Sequence, residues 1–411
     1  MWQQLLRTVA TDWSLFEYFS EMRTKYASLY TVEDVYFANY AAAVNLLNNG
    51  VTCVLDHCHI MNSPEHADAA VKGLQDAGIR GTSCYGFYEN PANVEGGTVA
   101  TNWDQKAREM DAKRVREQHF PNNDPEQTVL TFGISPNEAQ AIPTKQLIDE
   151  IKFSRSIGAR IITAHVSMGN GDAEGKPIVQ LLSDTGTLGP DLLFSHGSAF
   201  TDSELAAIKD SGASICATPD TELQMGMGHP VAFRAADAGC RTCLGLDITS
   251  SQGNDFMAQM RLMLQVQRAH ENRGRFPLEI KRKTAEVLRM GTLGGAEAMR
   301  LENITGSITP GKKADLVMFR CDNINTTPCV NPVGEVVFHT SPQNIDTVIV
   351  NGRIVKREGK LISVDWPMLR EELRKRCERI VTQGGKVDLE PQIVKWKPLF
   401  KGQSAPGKVK L

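Results

Sequence analysis

The chain has no excess of either charge: 45 lysines and arginines against 48 aspartates and glutamates leave a net −3 over 411 residues. Such a balance supplies no global field for nucleic acid or an anionic membrane, so neither is expected as a partner. Long apolar runs are also missing. None reaches the roughly 18 residues of a membrane span, and the first residues lack the charged-then-apolar pattern of a secretion signal, so the expected location is cytoplasmic. Cysteine is sparse, with nine residues, and Cys53, Cys84, Cys216 and Cys243 sit in apolar runs, which excludes a disulfide scaffold. Cys240 and Cys243 spell C-x-x-C, a redox or half-zinc spacing, but no second pair accompanies them and they read as core thiols. Repeats and low-complexity tracts are absent. Local charge bias is confined to Lys395, Lys397, Lys401, Lys408 and Lys410, read as a solvated tail.

What is present is the composition of a globular protein, 41% hydrophobic and 23% charged. The length suits two to three domains, or one large α/β barrel with an appendage. From Thr31, the residues Val35, Ala38, Ala42 and Leu46 recur at helical spacing until Asn48-Asn49-Gly50 stops them. VTCVLDHC follows as a buried strand. The same helix-then-strand unit repeats through IRGTSCYGF, TVLTFGIS, ARIITAHVSM, DLLFSHGS, ASICATP and RTCLGLDITS, seven strand candidates in all. Alternation of this kind predicts parallel pairing in a (β/α)8 barrel that lacks one strand, with an open doubly wound sheet as the competing architecture. The opening MWQQLLRTVATDWSLFEYF reads as the inside of a structured region. After Ala296 the texture changes to short β-rich runs, ENITGSITPGKKADLVMFR, GEVVFHTS and IDTVIVNGRIVKREGKLI, which predict a small β-sandwich. A charged helix follows over Asp365 to Gln383. The expected division is a barrel over 1–300, part of a sandwich over 301–363, and a helix with a basic tail over 364–411.

Polar side chains that end barrel strands converge on one mouth, which makes His165, His196 and Asp247 site candidates from three separate units. Two imidazoles and a carboxylate are ligand types for a borderline divalent metal such as zinc. His57 and His59 form a His-x-His pair whose rings share one face if the strand continues, either a metal clamp or a structural pair beside the site. His229 lies in the glycine-rich MGMGHPV loop, within reach of a substrate. His66 and His119 read as surface residues.

The segments AHVSMG, FSHGS, ATPDTELQMGMGHP and LGLDITSS, followed by GSITPGKKADLVMFR and DTVIVNGRIV, resemble the amidohydrolase superfamily. The likeness is to the branch holding triazine hydrolases, cytosine deaminase-like enzymes and methylthioadenosine or S-adenosylhomocysteine deaminases, and extends to about Ile362. It implies a (β/α)8 barrel with a composite β-sandwich and one zinc or iron held by a strand-one His-x-His, the strand-five His and the strand-eight Asp. By motif, His165 takes the strand-five position and Asp247 the strand-eight position, where it also shuttles a proton. His196 takes the strand-six position beside the substrate. The loop from Thr218 to His229, with Glu222 and His229, is expected to meet the substrate. The implied reaction is hydrolysis of a non-peptide C–N bond in an amino-heterocycle, amidine or amide by a metal-activated water. A small-molecule substrate and a homo-oligomer are the implied partners.

Two departures from the pattern stand out. The strand-one His-x-His is absent and LDHCHI aligns with strand two, which predicts a chain beginning after strand one. Met168 stands where relatives carry a general-acid Glu, leaving Asp172, Glu174 or Glu222 as replacements. Two further readings follow: a truncated or pseudo-enzyme form that binds a ligand or partner without metal, or a site in which His57 and His59 replace the missing pair.

Overall fold

The computed structural model describes residues 1–169 and 177–386. Seven parallel strands run in sequential order: β1 Cys53–Cys58, β2 Arg80–Gly86, β3 Leu130–Ser135, β4 Ile162–Val166, β5 Leu192–His196, β6 Ser214–Ala217 and β7 Arg241–Leu244. All seven candidate strands form, and helices separate them. The sheet curls into a half-barrel whose edges, β1 and β7, do not pair, so it is not a closed eight-stranded barrel. Alternate side chains divide between two layers, as strand geometry requires. Leu193, Cys216 and Cys243 pack inward with Ile161 and Ala298, whereas Leu192, Phe194 and Ile215 pack outward with the helices. Cys240 belongs to the outer cluster and Cys243 to the inner one, so the C-x-x-C pair is split across the sheet.

Two segments fill the gap between β1 and β7. Below, Ala296 in the helix Leu293–Ala298 joins Met299, Leu301 and Ile304 against Cys53 and Leu55 of β1. At the mouth, the opening segment spans both edges. Trp2 Nε1 donates to His59 Nδ1 at 3.4 Å, just beyond β1, while Gln3 and Ala10 bond Ser250, beyond β7, at 2.6 and 2.9 Å. Trp2, Leu5, Leu6, Tyr18 and Phe19 are buried, in keeping with the interior reading of this stretch.

The helix Val32–Asn48 starts at a capping box in which Thr31 and Asp34 satisfy each other's backbone N–H groups. Its neighbour, Pro64–Ala77, lies close enough that a Cβ on Gly73 would sit 2.8 Å from the Tyr36 carbonyl oxygen. His66, on that second helix, is buried rather than at the surface. It lies between the Ser63 hydroxyl and the Tyr30 carbonyl, both at 2.8 Å, because the helix packs it inward. His119 is half-buried and bonds Asp68 at 2.7 Å.

Of the expected sandwich, the described residues form one antiparallel sheet of β8 Leu316–Phe319, β9 Ile345–Val350, β10 Arg353–Arg357 and β11 Lys360–Leu361, ordered β11-β10-β9-β8. Asn351 and Gly352, both at positive φ, make the β9–β10 turn. GEVVFHTS does not form a strand. Asn331 caps a helix over Pro332–Phe338 through the Gly334 N–H, and Pro332 occupies its first turn, where the missing N–H costs nothing. The small sheet is tied to the half-barrel by Arg80, which donates to Asp315 at 2.5 Å and Asn351 at 3.0 Å. The last helix, Trp366–Gly384, docks through Arg376 and Arg379 onto the buried Asp34 carboxylate. The basic tail lies outside the described residues. No described helix is long and apolar enough to cross a membrane.

Candidate metal centre

The mouth of the half-barrel gathers imidazoles from β1 and β4. His57 lies at the end of β1, His59 just beyond it, and His165 near the end of β4. The ring centroids of His57 and His165 are 4.1 Å apart, those of His57 and His59 4.9 Å, and those of His59 and His165 5.6 Å. One nitrogen from each lies within 4.8 Å of the others, the spacing of a metal-ligating group. His57 Nδ1 and His59 Nε2 are buried without a hydrogen-bond partner. Buried polar atoms are rarely left so, and in native sites such orphans mark a bound ion or water. Burial holds the pKa of both rings well below the ordinary value, reinforced by His165 at His57 and by Arg23 at His59. Both are therefore neutral near pH 7 and keep a lone pair. Three imidazoles, two of them held neutral by burial, fit a divalent metal of the zinc type.

Behind the cluster, His165 Nδ1 lies 3.2 Å from the Glu138 carboxylate, the contact that orients a ligating imidazole and leaves Nε2 as the donor atom. Glu138 is itself buried. Burial alone would raise its pKa, but His165 and then Arg23, whose guanidinium donates to it at 3.1 Å, outweigh that and hold it below the usual carboxylate value. The same guanidinium lies 4.4 Å over the Tyr88 ring, and the Tyr88 hydroxyl contacts His57 Nε2. Burial keeps Tyr88 a neutral phenol. Glu138, Arg23 and Tyr88 were not among the residues singled out from sequence. For Glu138 a signal existed, an acidic residue just past an apolar strand in TFGISPNEAQ. Arg23 and Tyr88 carry no such mark.

The other strand ends form the far side of the rim. His196 sits 5.5 Å from His165, ring to ring, and its Nδ1 lies 3.0 Å from the Thr218 hydroxyl and 3.4 Å from Glu222. Desolvation would lower its pKa, but Glu222 and Asp247 raise it above the ordinary value, favouring the imidazolium. Glu222 is fully buried behind His196 and also accepts the Thr218 N–H at 2.8 Å, so it supports the ring from behind. Asp247 is exposed on the rim and lies outside the three-histidine group, so of the two expected ligands, only His165 belongs to it. Ser167, His196 and Asp247 all adopt positive φ, at 51°, 76° and 63°. Such backbone strain clusters at functional sites, and here three of the strained residues lie at this one mouth, whereas others such as Asn351 serve turns. His229 turns to helix Phe256–Glu271, bonding Gln267 at 2.9 Å and lying 4.5 Å from the His270 ring. Met168 packs into the apolar core, and Asp172 and Glu174 lie outside the described residues.

Residues 5–355 match the amidohydrolase family. Among similar proteins, the 5'-deoxyadenosine deaminase of Methanosarcina barkeri is 25% identical over 361 residues, covering 86% of this chain and 77% of the relative. The 5-methylthioadenosine/S-adenosylhomocysteine deaminase of Thermococcus kodakarensis is 26% identical over 360 residues, covering 85% and 78%. In fold, the chain is similar to a zinc-bound adenosine deaminase from Xanthomonas campestris, with a TM-score of 0.80 and 20% identity over 93% of this chain and 83% of that one. It is also similar to the atrazine chlorohydrolase of Arthrobacter aurescens in complex with zinc, with a TM-score of 0.74 and 16% identity over 92% and 85%.

Proposed function

The chain belongs to the amidohydrolase family, and from that premise we propose that it hydrolyses a non-peptide C–N bond of a small molecule, most simply by deaminating an amino-heterocycle. The observation that carries this reading is the group of three imidazoles within 4.8 Å at the strand ends, two of them with unpartnered buried nitrogens. His57, His59 and His165 would hold one divalent ion, zinc or iron. When bound, such an ion polarises the scissile group and lowers the pKa of water from 15.7 to about 7.

The residues around it divide the remaining work. Asp247, an exposed carboxylate on the rim, takes the proton from the attacking water and returns it to the departing nitrogen, so that water and the C–N bond are consumed and an amine or ammonia leaves. His196, held at Nδ1 by Thr218 and Glu222, donates from Nε2 to the oxygen as charge develops there. Glu138 fixes the His165 tautomer, and the Arg23 charge over Tyr88 is neutralised by Glu138 rather than offered to substrate. The names of the curated relatives make adenine-bearing nucleosides the first substrates to try.

The test is elemental mass spectrometry of the purified chain for zinc and iron, with ammonia release measured on 5'-deoxyadenosine, methylthioadenosine and a panel of amino-heterocycles, amidines and amides. The expected result is about one metal ion per subunit, lost in His57→Ala, with release that depends on the metal. A folded chain that takes up neither metal refutes the reading.

A further inference from the structure

Trp2 is buried against the candidate centre, its ring edge-on to Tyr30 at 5.1 Å and to His59 at 6.4 Å. Its indole Nε1–H donates to His59 Nδ1 at 3.4 Å. A neutral imidazole has one nitrogen with a free lone pair and one that carries hydrogen. With Nδ1 accepting from Trp2, the hydrogen is on Nε2, the nitrogen that is buried without a partner. A metal ion needs the lone pair. Ligation through Nε2 moves the hydrogen to Nδ1, where it faces the indole N–H donor to donor. Ligation through Nδ1 displaces the indole directly. In both cases the bond to Trp2 is lost. We infer that the Trp2 indole and the metal compete for the single lone pair of His59, so that Trp2 is a positioning residue that holds down the affinity of the centre.

The inference rests on the metal reading proposed above, and zinc affinity tests it without any substrate. Metal-stripped full chain is titrated with zinc against a chromophoric chelator, as wild type, Trp2→Phe, His59→Ala and the double variant. Phenylalanine keeps an aromatic ring beside Tyr30 and removes the N–H donor. Trp2→Phe is expected to bind zinc about five-fold tighter, the factor of one neutral hydrogen bond, although it loses buried contacts. In the His59→Ala background the same substitution is expected to change nothing, because the contested lone pair is gone. A measurement on the wild type guards against misfolding of the variant: with nitrogen-15-labelled indole, the Trp2 N–H resonance should move on zinc addition as its acceptor is lost. Unchanged or weaker zinc binding by Trp2→Phe, tightening that persists without His59, or an unmoved Trp2 resonance overturns the inference while leaving the metal reading intact. A wild type that binds no zinc overturns both.

Discussion

Glu138→Gln separates the two tasks of the buried carboxylate. In the native protein, Glu138 is shared between Arg23 at 3.1 Å and His165 Nδ1 at 3.2 Å, with side-chain exposures of 2% for Arg23 and 4% for Glu138. The amide removes the anion and leaves the guanidinium buried without a counter-charge, a change that costs about 3–5 kcal/mol. It also weakens the acceptor that orients His165, and loss of such a partner lowers metal affinity by roughly 10–100-fold. The two effects are separable in Glu138→Gln/Arg23→Met, which has no unpaired charge. Urea unfolding of the metal-free chain should show most of the stability recovered in the double variant, while zinc competition should show affinity still reduced. The pH dependence has a definite sign. Because the folded pKa of Glu138 lies below its ordinary 4.5, its contribution is complete above that value and is lost as pH falls through the folded pKa. Below pH 4.5 the wild type should therefore lose stability with a component that Glu138→Gln lacks. Zinc affinity within two-fold of wild type in a folded Glu138→Gln protein would refute the orienting role, and a stability change under about 1 kcal/mol would refute the buried-charge argument.

Three further outcomes are expected. Burial holds the His66 pKa below 6.5, so its contribution is present above pH 6.5 and is lost as pH falls below it; urea midpoints measured from pH 7.5 to 5.5 should decline, and less steeply in His66→Gln. Asp315→Ala leaves the Arg80 guanidinium buried without its partner between half-barrel and small sheet, which should cost about 3–5 kcal/mol in unfolding free energy. Arg80→Met/Asp315→Leu should be markedly milder. Gly73→Ala forces a methyl to 2.8 Å from the Tyr36 carbonyl oxygen and 2.9 Å from the Tyr40 nitrogen, and should lower stability by about 1–3 kcal/mol through overpacking of the two helices.

The strands of the half-barrel were legible in the sequence because each is a short apolar run bounded by turn residues and preceded by a helical period, signals carried by neighbouring residues. His165, His196 and Asp247 were legible for the same reason, as polar residues that end such runs. GEVVFHTS misled because its β-rich composition concealed a helix start, Asn331-Pro332, that only the capping contact makes decisive. His66 misled because helical context does not say which face is covered.

The composition of the centre was decided by tertiary structure. His57 and His165 sit on β1 and β4, three strand spacings apart, which is about 14 Å in a flat sheet. Their rings meet at 4.1 Å only because the sheet curls, and no local signal encodes that curvature. Arg23 and Tyr88 reach the cluster from segments with no chemical motif, and the opening segment becomes part of the rim only by spanning the ends of β1 and β7. What the sequence by itself determined was the set of elements, the family resemblance and the kinds of ligand available, since these depend on periodicity and residue type. Which nitrogens come within 4.8 Å of one another, and which carboxylate stands behind them, depended on contacts between residues distant in the chain, and those exist only after the sheet has curled around them.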